Sequence, residues 1–93
     1  MGLPVIDSPL APPQTGAIVN CTAAAQLSAV TTEAYLWVAN LGATTLTVGG
    51  SAVTAGAGIG IPAGVVASWR VLNPSQWYGV GSASVQVATT AAS

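Results

Sequence analysis

Residues 37–54 read WVANLGATTLTVGGSAVT, eighteen residues without a charged side chain, inside an uncharged span from Ala34 to Trp69. A stretch that apolar either crosses a membrane or packs inside a protein. A spanning helix needs about 20 predominantly apolar residues at helical geometry. This stretch instead carries Gly42, Gly49, Gly50 and five Thr or Ser residues between Thr44 and Thr54, and Gly56, Gly58, Gly60 and Pro62 follow. Glycine and proline so spaced punctuate a chain once per short strand. No basic residue flanks the stretch to set an orientation across a bilayer. It reads as packed β structure.

The alternation on either side of residue 42 supports that reading. EAYLWVAN (33–40) is a strand with Ala34, Leu36 and Val38 on one face and Tyr35, Trp37 and Ala39 on the other. TTLTVG (44–49) alternates, Leu46 and Val48 inward, Thr45 and Thr47 outward. The link Asn40-Leu41-Gly42-Ala43 has hairpin length and offers Gly42 for positive φ, so the two strands read as a β-hairpin.

Working outward, SAVT (51–54) reads as a further short strand and Gly56 to Gly64 as a glycine-rich turn region. AIVNCT (17–22), VVASWRVL (65–72), QWYGV (76–80) and ASVQVAT (83–89) are strands, with an Asn73-Pro74-Ser75 turn before the third of these. TAAAQLSAV (22–30) reads as loop or irregular strand. No segment holds a helical apolar period over 10 residues, so no helix longer than about two turns is expected. Short strands with turn signals every 8–12 residues define an all-β fold. The expectation is a small antiparallel β-sandwich or barrel of six to seven short strands, spanning 17–93.

Residues 1–16 stand apart. Pro4, Pro9, Pro12 and Pro13 fix φ and remove backbone donors, which makes this an extended proline-rich arm. Leu3, Val5, Ile6 and Leu10 suit shallow apolar pockets, and Asp7 suits a polar clasp. Free N–H groups for adding to a sheet edge lie chiefly between Val5 and Ser8.

The whole chain has 93 residues, one small domain. Its charged side chains are Asp7, Glu33 and Arg70, 3% of residues against about 25% in ordinary soluble domains. Mean hydropathy is +0.68 and the sequence pI about 4.4. One arginine does not neutralise a row of phosphates, which excludes nucleic acid as a partner. A polybasic membrane-surface segment is missing for the same reason. Arg70 is expected to pair with Glu33 or with Asp7 of a docked arm.

Composition also argues against an enzyme. The chain has no His and no Lys, and its two acids lie far apart in sequence, so acid–base, nucleophilic and metal chemistry lack their usual groups. No cofactor or metal is expected. GAGIG (56–60) lacks the lysine and strand–turn–helix setting of a phosphate loop and reads as a turn. Cys21 is the sole cysteine, which leaves no internal disulfide, and it reads as a buried inert thiol. MGLPVIDSPLAPPQTG has no basic leader region, no continuous apolar core, and Ile6 where a myristoylation signal needs Ser or Thr. Synthesis in the cytoplasm without autonomous export is the expectation.

A surface with three charges favours association, so much of it is expected to be buried in a homo-oligomer or larger assembly. Tyr35, Trp37, Trp69, Trp77 and Tyr78, all read as strand residues, suit core packing or subunit contacts. The alternative use of exposed coplanar rings is stacking on sugar faces, which would make a carbohydrate-binding module with glycan partners.

VANLG (38–42), VGGSAVT (48–54) and GIGIPAG (58–64) stand in an order that resembles small β-sandwich head decoration, head-fibre or spike-base proteins of tailed bacteriophages and phage-like particles. The likeness covers about residues 34–64, and its motifs are turn chemistry. Thr47 departs from the aromatic that often precedes the Val/Ile-Gly pair, and the proline arm is unusually long. The resemblance implies a structural virion protein, a capsid decoration (cement) or spike-base subunit on the capsid surface. It implies the major capsid protein and further copies of the chain as partners, with a trimer favoured by local threefold positions. A carbohydrate-binding module of a phage fibre or adhesin is the alternative.

Overall fold

The computed structural model describes residues 17–91 and is all β, two antiparallel four-stranded sheets stacked into a sandwich. The strands are β1 (Ala17–Cys21), β2 (Ala25–Gln26), β3 (Ala34–Asn40), β4 (Leu46–Gly49), β5 (Ile59–Ile61), β6 (Val66–Val71), β7 (Tyr78–Val80) and β8 (Ser82–Ala91). The first sheet runs β1-β8-β3-β6 and the second β2-β7-β4-β5. Eight described strands exceed the expected six or seven because two- and three-residue strands complete the second sheet.

Alternation builds the core. Leu36 and Val38 of β3, Val85 and Val87 of β8 and Val71 of β6 face Leu46 and Val48 of β4 and Ile61 of β5, with Cys21 and Leu27 joining the same cluster. These β-branched and leucine side chains are almost fully withdrawn from water, each contributing roughly 1.5–3 kcal/mol by burial. Cys21 sits in this core, and burial pushes its thiol pKa up.

The hairpin expected across residues 33–49 does not form. β3 pairs with β6 and β8, whereas β4 pairs with β5 and β7, so residues 41–45 carry the chain from one sheet to the other. Both strands keep their inward residues, but these face each other across the core instead of lying side by side. Along the described chain only β4 and β5 are consecutive strands of one sheet; every other connection changes layer.

Asn40 holds the crossing. Its side chain is fully buried, with Nδ2 donating to the carbonyls of Thr44 and Ile61 at 2.8 and 2.9 Å. Its Oδ1 accepts from Gly42 N–H at 3.1 Å and Ser82 Oγ at 2.8 Å. Both donors and both lone pairs of the amide are used, which a buried amide requires. Gly42 serves close approach here instead of positive φ, since a Cβ would lie 2.2 Å from Ser82 Oγ.

A second crossing needs glycine for its backbone. Gly81 alone separates β7 from β8 and takes φ +109°. A Cβ there would stand 2.7 Å from the Thr45 carbonyl oxygen.

Other expectations shift locally. Thr47 is buried at 3% exposure, because the loop after β4 folds over it and Gly56 N–H donates to its Oγ1 at 3.0 Å. Residues 51–54 make a turn closed by a bridge between Thr54 and Ala57, not a strand. Ile59–Ile61, read as turn, pairs with Leu46, Thr47 and Val48 as β5. Gln76 closes a single 3-10 turn, Pro74–Gln76, whose first turn is capped by Asn73 accepting from Ser75 N–H, so Trp77 precedes its strand.

Candidate functional site

β5 and β6 are the last strands of their sheets, and the loop between them spans the open side of the sandwich. Between their edges lies an apolar groove of about 210 Å³, lined by Ile59 and Ile61 of β5, Pro62 and Val65 of the loop, Trp69 of β6 and Trp77. The inward turn of Ala67 and Trp69 follows from strand alternation, since Leu36 pairs with Trp69 and Val38 with Ala67. A small residue at 67 beside a large one at 69 leaves the hollow. The volume exceeds the ~150 Å³ that admits a benzene ring and falls short of the ~300 Å³ where drug-sized ligand sites begin. It suits one or two apolar side chains and is too small for a nucleotide-sized cofactor.

Trp69 and Trp77 meet edge to face, centroids 5.3 Å apart at 65°. The Trp69 indole N–H is shut off from solvent and has no hydrogen-bond partner. An unmet buried donor of this kind costs about 1–3 kcal/mol. The groove rim is apolar too: Ile59 is 62% exposed, and Val65 is also exposed.

The outer face of the first sheet is the second notable surface. Pairing places Ile18, Gln86, Ala39 and Val66 in one row across four strands. Ile18 is 59% and Val66 63% exposed. At the other end of this face Tyr35 is buried at 8% exposure, and Trp37 Nε1 donates to Thr90 Oγ1 at 3.0 Å. Arg70 Nε donates to Glu33 Oε2 at 2.6 Å, an ion pair between half-exposed side chains. Such a pair is worth about 0–1 kcal/mol and acts mainly on register.

The five aromatic candidates therefore split. Trp69 and Trp77 come together in the groove, Tyr35 and Trp37 occupy the opposite face of the sheet, and Tyr78 lies half-buried on β7 opposite Gln26 and Gly49. They do not gather on one surface. Leu3, Val5, Ile6, Asp7 and Leu10 lie outside the described residues. Ile59, Ile61, Pro62 and Val65 escaped sequence reading; the signal was GIGIPAGVV, a proline and a β-branched pair closing a glycine run, which fits an edge strand.

Among the described residues no cluster of three or more His, Cys, Asp or Glu could hold a metal ion, and no helix is long and apolar enough to cross a membrane. Comparison with family models, with curated proteins and with solved structures finds no match.

Proposed function

We propose that this chain is a structural assembly subunit of a phage-like particle, a capsid decoration or spike-base protein that docks on the major capsid protein and on further copies of itself. The observation that carries the reading is the Ile18–Val66 row. A sheet face with two large exposed apolar side chains at one end, away from the Arg70–Glu33 pair at the other, is an association surface in a protein with so little charge to keep it apart from others.

The three turn motifs support the particle reading through their spatial convergence. Asn40 of VANLG binds the Ile61 carbonyl of GIGIPAG, and Gly64 N–H donates to the Asn40 carbonyl at 2.8 Å. Val53 of VGGSAVT packs beside Gly49 and Gly58. Their residues build a rigid corner and leave no reactive group, as suits a module that works by shape.

Sedimentation with empty, undecorated phage capsids tests the proposal. Saturable co-sedimentation is the expected result. Absence of binding, with retention on a polysaccharide column, would favour the carbohydrate-binding alternative. The 65° crossing of Trp69 and Trp77 weighs against that alternative, since a sugar face stacks on a ring plane left open.

A further inference from the structure

We propose that the groove between β5 and β6 receives the proline-rich arm of a neighbouring copy, residues 3–13, so that copies link arm to groove. The proposal rests on the assembly reading and names one contact within it. Three observations point the same way.

The first is chemical. The groove walls are apolar, and the one unmet polar group beside them, the Trp69 indole N–H, is shut off from their surface. The natural occupant of such walls is a segment poor in backbone donors. Four prolines among residues 4–13 supply that composition, because each keeps its carbonyl and lacks an N–H. Such a segment strands few donors against Ile59, Ile61 and Val65. Aromatic-lined grooves take extended proline segments for this reason and because the segment is ordered before it docks.

The second is size. A groove of about 210 Å³ holds one or two side chains, which matches Leu10 and a flanking proline at a time.

The third is position. Ala17, where the arm is rooted, pairs with Val87, Val87 with Val38, and Val38 with groove-lining Ala67. Root and groove thus share one row of the first sheet at its two opposite edges, about 14 Å apart at the usual strand spacing. Sixteen residues at about 3.1 Å each extend to about 50 Å, ample to cross to another molecule. Each copy offers an arm at one edge and a groove at the other, which is a heterologous contact. Such contacts close into rings when the rotation permits, and a trimer is one such ring.

Cysteine pairs in the full chain test the contact, with Cys21 left in place as a buried thiol. Chains carrying Leu10→Cys alone are mixed with chains carrying Val65→Cys alone and mildly oxidised with glutathione disulfide. A disulfide-linked heterodimer is expected, since bonding needs the two Cα atoms within about 7 Å. The double variant is expected to give covalent oligomers. Monomers with an internal Leu10–Val65 crosslink would overturn the proposal by placing the arm in its own groove. No crosslink in either experiment would also overturn it, and persistent capsid co-sedimentation would then show that the broader assembly reading had survived.

Discussion

Ser82 and Asn40 stand 42 residues apart in sequence, and the Ser82 hydroxyl donates to Asn40 Oδ1 at 2.8 Å with both side chains buried. The bond ties the start of β8 to the end of β3. The same Asn40 side chain reaches the carbonyls of Thr44 and Ile61, so one amide joins the two layers where the chain leaves one for the other. Asn40→Ala strands the Ser82 hydroxyl and two carbonyls. A loss of about 3–4 kcal/mol in urea unfolding is expected, and a loss below about 1 kcal/mol would show the network to be dispensable.

Two glycines separate backbone strain from steric clash. Gly81 and Gly64 both have positive φ, +109° and +81°, but only Gly81 has a neighbour in the way, the Thr45 carbonyl. Gly64→Ala is expected to cost about 1 kcal/mol through φ alone, and Gly81→Ala at least about 2–3 kcal/mol. Thermal unfolding of the two variants side by side measures the difference.

Trp37 and Trp69 differ in one bond. Trp37→Phe removes a hydrogen bond to Thr90 and is expected to destabilise the isolated protein by at least about 1 kcal/mol more than Trp69→Phe, which removes a donor that has no partner. Equal effects in denaturant titration would contradict the assignment.

Cys21 links stability to alkaline pH. Burial raises its pKa above the ordinary 9.0, so the unfolded thiol ionises first. Its contribution is complete below that ordinary value and is lost as pH rises past it toward the raised folded pKa. Cys21→Ala should lack this part of the alkaline decline. Disulfide-exchange reagents should react slowly with the native thiol and quickly in denaturant.

The Ile18–Val66 row predicts solubility behaviour. The protein is expected to self-associate most near pH 4.4, where its small net charge vanishes. Val66→Lys puts a charge on an exposed edge position and should reduce association there without loss of fold, read by light scattering and circular dichroism.

The order of amino acids by itself determined the all-β class and the inward set Leu36, Val38, Leu46 and Val48, while for Arg70 it left two candidate partners, Glu33 and Asp7. Alternation with period two carries that much, because it marks which side chains must leave water. It does not say which strand lies beside which, since main-chain hydrogen bonds are alike for any partner. The layer change at Asn40–Thr45, the burial of Thr47 under a glycine loop, and β5 within a run that reads as turn were therefore decided by tertiary packing. So was the groove: Ile59, Val65, Trp69 and Trp77 meet only because β5 and β6 end their two sheets on the same side. Their nearness is set by how two twisted layers close on one core, which no local pattern encodes.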